Sequence, residues 1–282
     1  MAINLMLKYA QKLAERYNIQ SKTDNHCGKD FEFVGVKSLE ILSAKTYAPN
    51  QYTRSGNARF GATQEIEDTK QTLTMENDIS NSLSIDAGNA EEQFNVKAAN
   101  KMLKAQWDEE YAPYIDKKRL ANWASGHGLS EGFAIQTNET PAALTKNNIV
   151  DATFEANAAL SDAKVPTTNR TLFISERDYT KFKLADMVIG GAQLNAKAVA
   201  QGYRGTIDGV HVVTVPSSYM PENVGFILKH KNATVDPVKH KVLRLHKNPP
   251  GVDGDLIEIR VLFDAFVLDQ KCKGVYAYKT AA

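Results

Sequence analysis

The sequence predicts an α+β chain with a two-stranded element projecting near its front. Three observations predict it. Leu73, Met75, Ile79, Leu83 and Ile85 all fall on odd positions with polar residues between them, the period of a half-buried strand. Ala99, Leu103, Trp107 and Tyr111 recur every four residues, the stripe of a long helix. The last third alternates short β-branched runs with Pro, Gly and Asp turns.

The elements follow in order. Ile3 to Tyr17 reads as an amphipathic helix, with Ile3, Leu7, Ala10, Leu13, Ala14 and Tyr17 on one side. Ser21 to Asn25 should be a linker, so the helix is either an arm or a piece docked on its own domain. A first strand spans Phe31–Leu42, with Phe31, Phe33, Leu39 and Ile41 on one face, interrupted by Gly35 and Lys37. Ser43 to Gln71 is rich in turn formers (Pro49, Gly56, Gly61) and carries Tyr47, Tyr52, Arg54, Arg59 and Phe60. A loop this long is functional or disordered. Two extended arms with such a tip would project, leaving the apolar face of Leu73 to Ile85 for a neighbour to cover.

A long helix should run from about Gln93 to Ala112, break or kink at Pro113, and resume over Tyr114–Ala124 until Gly126 and Gly128 stop it. Its Trp/Tyr stripe reads as core. Gly132 to Lys146 is weakly patterned. A helix over Asn148–Leu160 turns Ile149, Thr153, Ala156 and Leu160 inward, and Arg170–Ile174 is a strand leading to a helix capped by Ser175. Beyond a stretch containing Gly190 and Gly191, Ile207-Asp208-Gly209-Val210 is a strong hairpin signal opening the strand Val210–Val215. Strands are expected at Val224–Leu228, Lys241–Leu245, Leu256–Leu268 and Val275–Tyr278.

Composition narrows the function. The 282 residues are 43% hydrophobic and 24% charged with a net charge of +1, which fits a folded protein and argues against a dedicated nucleic-acid binder. No uncharged apolar run is long enough to span a bilayer. The N-terminus does not read as a secretory signal, and Cys27 and Cys272 read as buried neutral thiols in a reducing compartment.

Catalytic fingerprints are not found: there is no GxSxG, phosphate loop, HExxH or CxxC. Gly126-His127-Gly128 lacks the third glycine of a dinucleotide loop, since position 131 is Glu. His230, His240 and His246 each stand beside lysines, which suits a solvated basic face better than a metal site. No catalytic residue, metal or cofactor is predicted.

Charge distribution says more than the total. Residues 62–92 hold eight acids against Lys70 alone, and residues 229–247 hold six bases against Asp236 alone. Two solvated faces would explain this. A sharper reading pairs Glu65, Glu67, Asp68, Glu76 and Asp78 of one subunit with Lys239, Lys241, Arg244 and Lys247 of a neighbour. Arg54, Arg59 and Phe60 at the tip join this candidate interface, and a phosphate-facing role for the basic segment is a third possibility.

The order of parts resembles the tailed-phage major capsid protein family with the HK97-type fold. Gly205-Thr206-Ile207-Asp208-Gly209-Val210 through Val215-Pro216, followed by Tyr219-Met220-Pro221, is similar to a passage of that family's axial domain. Thr171–Ser175 with the helix from Glu176, and Leu256–Leu268 with Lys273-Gly274-Val275-Tyr276-Ala277, resemble two more of its elements. The resemblance implies an N-terminal arm (1–28) and an extended loop with flanking strands (29–92). It also implies a peripheral domain with a spine helix (93–146 and 232–270) and an axial domain (147–231 and 271–282). It implies hexamers and pentamers of an icosahedral head around packaged double-stranded DNA, assembled in a host bacterial cytoplasm and found in the virion. A separate scaffolding protein, a portal protein and room for a decoration protein follow from it, with no membrane, and a cleaved prodomain is not evident in the sequence. Some members cross-link a loop lysine to a distant asparagine. Lys70 is the outer-strand lysine here, and no cross-linking residues are carried over. Two other readings stay open: an encapsulin-like nanocompartment shell, and an enzyme without a recognisable motif, for which His127 is the candidate.

Overall fold

Polar–apolar alternation places the strands of this chain but does not show where one ends and the next begins. A computed structural model describes residues 21–28, 32–33, 37–44, 46–57, 59–87, 99–184, 203–251 and 253–281. The helix expected over Ile3–Tyr17, the start of the helix from Gln93 and the Gly190–Gly191 stretch lie outside them.

The expected linker at Ser21–Asn25 is instead a clasp. Asp116 accepts hydrogen bonds from Ser21 Oγ (2.8 Å), Lys22 N (2.7 Å) and Thr23 Oγ1 (2.5 Å), and Thr23 is fully buried. Polar composition suggested solvent, but two hydroxyls and a backbone N–H here satisfy a buried carboxylate.

The expected strand Phe31–Leu42 is two strands, β1 (Glu32–Phe33) and β2 (Ser38–Ala44), paired antiparallel with Phe33 opposite Leu39. Partners across such a pair share a face, so the single-strand reading kept the right parity. Strand β3 (Asp68–Thr74) pairs back onto β2, from Ser38 opposite Thr74 to Ala44 opposite Asp68. The resulting hairpin carries residues 46–57 and 59–67 as an exposed tip without strand structure.

The run Leu73 to Ile85 also divides, because β4 (Asn77–Asp86) leaves the hairpin and joins another sheet. Parity again survives a two-residue break. Leu73 and Met75 pack with Leu39, Val235, Leu262 and Phe266, while Ile79, Leu83 and Ile85 lie against Tyr111, Ile257 and Ile259. The apolar face expected to need a neighbour is therefore covered by the chain itself.

Helix α1 (Ala99–Gln106), a π turn (Trp107–Tyr111) and α2 (Ala112–Ser125) form one helical path. Pro113 does not break it. The irregularity is a π turn just ahead of the proline, whose missing N–H and bulky ring would spoil a regular turn. The end is as expected: Gly126 is left-handed at φ 71°, and His127 N–H reaches Asn122 O at 2.9 Å.

The chain continues through β5 (Gln136–Thr137), α3 (Ile149–Asp162), β6 (Arg170–Ser175), α4 (Glu176–Leu184), β7 (Tyr203–Ile207), β8 (Val210–Val215) and β9 (Val224–His230). Next come β10 (Thr234–Val235), β11 (Val238–Lys247), β12 (Gly254–Phe263), β13 (Phe266–Val267) and β14 (Val275–Lys279). Ser175 Oγ accepts Asp178 N–H at 2.9 Å, the expected cap of α4, and Asp208 and Gly209 take the positive φ of the expected hairpin turn.

A six-stranded sheet, ordered β5-β14-β9-β6-β8-β7, is covered on both faces. Leu120 and Trp123 of α2 cluster with Phe173 and Ile227, while Ile149 and Leu160 of α3 and Phe182 of α4 cluster with Leu172 and Phe226. This double covering explains why β6 is buried at every position rather than alternating.

The expected strand Leu256–Leu268 divides too. Strand β12 lies between β11 and β4, while β13 pairs with β10. The break is at Asp264, a buried carboxylate that accepts from Glu76 N (3.0 Å), Asn77 Nδ2 (3.1 Å), Asn122 Nδ2 (2.8 Å) and Ala265 N (2.9 Å). The β3–β4 and β12–β13 breaks are one polar junction, where these donors replace ladder partners.

Candidate assembly interface

Exposed large apolar side chains gather on the β2–β3 hairpin, where Leu42 is 72%, Phe60 84% and Ile66 71% exposed. The tip has internal order. Thr53 N–H donates to Arg59 O at 3.0 Å, Arg59 Nε donates to Gly56 O at 3.3 Å, and Phe60 meets Tyr52 edge-on at 5.2 Å. Arg54, Arg59 and Phe60 are thus exposed together. At the base, Lys70 pairs with Glu40 at 2.6 Å, and Gln71 Nε2 donates to Gly128 O at 2.8 Å and Asp269 Oδ1 at 3.1 Å. Those last bonds fasten the hairpin to the body.

The acidic stretch does not stay together. Glu65 and Glu67 are on the exposed return of the tip and Asp68 opens β3. Glu76 sits at the Asp264 junction, and Asp78 lies on β4, where Arg260 of the same chain grips it through Nε (3.0 Å) and Nη2 (2.7 Å).

Of the basic stretch, the four nominated cations stay on one strand and Lys229 departs from them. Lys239, Lys241, Arg244 and Lys247 all lie on β11, an edge of the three-stranded sheet. Arg244 stands opposite Glu258 and Lys247 opposite Asp255 on β12, and His246 Nε2 is 3.2 Å from Glu258 Oε2. Lys229, counted with this face, is fully buried and donates to Thr234 Oγ1 at 2.6 Å. Burial disfavours its charged form and lowers its pKa, against the pull of Asp236.

Sequence reading missed a second basic feature. A cavity of about 300 Å³ lies between the end of α3, the turn after β9 and the turn before β14. Val165, Pro166 and Ala233 line it together with Lys164, Lys271 and Lys273. More than a hundred residues separate Lys164 from the other two, and no local signal links them.

The remaining candidates resolve into packing. His127 stacks on Phe266 at 5.2 Å, its Nε2 3.7 Å from Asp264 Oδ1. His230 Nδ1 accepts from Asn232 N at 3.2 Å. Cys27 and Cys272 are both buried and free, and burial pushes the Cys27 thiol well above its usual range. Among the described residues no group of three or more His, Cys, Asp or Glu is arranged to hold a metal, and no helix is long and apolar enough to cross a membrane.

Several solved structures share this architecture over nearly the whole chain. The capsid of Ralstonia phage GP4 superposes with a TM-score of 0.69 at 11% identity, covering 99% of this chain and 96% of that one. The capsid structure of the cyanophage P-SCSP1u gives 0.67 at 13% identity, covering 99% and 93%.

The chain has the HK97-type capsid fold.

A virus-like particle from Pyrococcus furiosus also matches, with a TM-score of 0.55 at 10% identity over 90% of each chain. No protein-family profile matches the sequence, and no curated protein matches it. The HK97-type fold is thus recognised through backbone geometry.

Proposed function

We propose that this chain is the major capsid protein of a tailed bacteriophage, forming hexamers and pentamers of an icosahedral head around double-stranded DNA. The observation that carries the reading is reciprocal coverage: phage capsid subunits match it from end to end, at 99% of this chain and 96% of the GP4 subunit. The hairpin supports it independently, because it offers apolar and charged side chains to solvent at the far end of a projecting arm. Shell subunits need many such weak contacts closed by symmetry.

In this reading residues 1–28 are an arm and 29–92 an extended loop with flanking strands. The peripheral domain is 93–146 with 232–270, and the axial domain is 147–231 with 271–282. The six-stranded sheet supports the axial assignment, since all its strands but β5 come from those two stretches. The loop, through Arg54, Arg59, Phe60, Glu65, Glu67 and Asp68, docks on a basic surface of a second copy, for which Lys239, Lys241, Arg244 and Lys247 are the sequence's nominees. A scaffolding protein, a portal protein and a decoration protein are the proposed partners, with assembly in the host cytoplasm and the virion as destination.

A nanocompartment shell is the second reading, favoured by the Pyrococcus furiosus particle, though at a lower TM-score of 0.55. Light scattering and negative-stain electron microscopy of the purified protein, alone and with its genomic neighbours, test both. Closed shells containing double-stranded DNA support the phage head, and closed shells without nucleic acid support the nanocompartment. A monomer under every condition overturns both.

A further inference from the structure

The acidic end of the loop has an apolar centre. Ile66 is 71% exposed between Glu65 and Glu67, with Asp68 next in the chain. An exposed aliphatic side chain within an acidic stretch is poorly placed in water and suits a pocket of opposite character.

The α3 cavity has that character. Its apolar lining includes Val165, Pro166 and Ala233, its cations are Lys164, Lys271 and Lys273, and none of its described lining residues is acidic. At about 300 Å³ it is small for a cofactor and adequate for a branched side chain. One wall is set by the end of α3, where Lys164 N–H bonds Ser161 O at 2.9 Å and Val165 N–H bonds Leu160 O at 3.0 Å. The nominees on β11 differ. Arg244 and Lys247 already stand opposite Glu258 and Asp255 of their own chain.

We infer that Ile66, flanked by Glu65 and Glu67, docks into the lysine-rimmed cavity of a second copy of this chain. The inference rests on the capsid reading and names the seat that the loop takes. Ile66 supplies the buried anchor, and the carboxylates meet Lys164, Lys271 and Lys273 around it. An apolar centre within a charged rim gives such a contact both its hold and its register.

Disulfide trapping in the full chain tests it. Ile66→Cys combined with Asn232→Cys at the cavity should yield a ladder of covalent multimers from oxidised particles, absent from either single variant. The native Cys27 and Cys272 are buried, which keeps the background low. Separately, Lys271→Glu with Lys273→Glu should abolish particles, and adding Glu65→Lys with Glu67→Lys should restore them. Trapping with Leu243→Cys on β11 instead of Asn232→Cys overturns the cavity assignment while leaving loop docking intact. Particles that trap at neither position, or that form normally with both lysines reversed, also overturn it. Failure of the unaltered chain to form particles under any condition overturns the capsid reading itself.

Discussion

Lys229 lies fully buried with its Nζ 3.4 Å from the centre of the Trp123 indole ring. The indole N–H donates to Asp236 Oδ1 at 2.8 Å, and Thr234 Oγ1 donates to Asp236 Oδ2 at 3.1 Å. Replacing Lys229 with Met takes the amine away from Thr234 Oγ1 and from the buried Asp236 carboxylate, and should cost about 3–5 kcal/mol. Trp123→Phe leaves a buried carboxylate short of a donor and should cost about 1–3 kcal/mol. Urea denaturation of both variants checks the order, and a larger loss for the phenylalanine variant would contradict it.

His26 supplies a pH dependence. Its ring is edge-on to Phe173, bonded to Thr171 Oγ1 at 3.0 Å, and its pKa is lowered from 6.5 to about 4, chiefly by burial and then by Lys229, His211 and Lys231. The fold holds His26 neutral, whereas the unfolded chain takes up a proton near 6.5. The stabilisation is therefore complete above pH 6.5 and lost as pH falls toward 4, about 3 kcal/mol in all. Thermal midpoints measured across that range should fall less steeply for His26→Gln. Parallel curves would show that other groups set the dependence.

Gly128 is required twice over. Its φ is +89°, and a Cβ there would come within 2.8 Å of Phe266 Cδ1 and 3.0 Å of Leu73 Cδ2. Gly128→Ala should cost about 2–4 kcal/mol, the left-handed backbone and the overpacking together. At Gly132 φ is +88° but nothing lies within 4 Å, so alanine there bears only the backbone term of about 1–2 kcal/mol. Denaturation midpoints of the two variants separate the contributions.

Phe60 tests the proposed function without touching the fold. It is 84% exposed, with Tyr52 as its ring partner. Phe60→Ser should leave the circular dichroism melt unchanged and lower the yield of particles by light scattering. Unchanged yield would remove the tip from the assembly contact.

Legibility followed the range of the interactions. The Asp208-Gly209 turn, the Ser175 cap and the inward face of α3 at Ile149, Thr153, Ala156 and Leu160 depend on neighbours in sequence, and all three stand where the residues placed them. The divisions of Phe31–Leu42, Leu73–Ile85 and Leu256–Leu268 did not show. The first two breaks keep the same parity, and the last two depend on Asp264 meeting Glu76 and Asn77, 188 and 187 residues away. At the candidate interface the exposed tip was legible from its composition. The splitting of the acidic stretch, the departure of Lys229 from the basic one and the gathering of Lys164 with Lys271 and Lys273 were not.

By itself the sequence determined the periodicities: which residues turn inward, where the helices stop, and that a polar, aromatic-bearing loop stands apart from the core. These are properties of one residue and its nearest neighbours, set by backbone sterics and local hydrogen bonding. Tertiary structure decided which strands share a sheet, that β4 is covered by its own chain, and which charges are already answered within it, as Asp78 is by Arg260. Those outcomes depend on burial and pairing between distant segments, and alternation is the same whichever partner a strand takes.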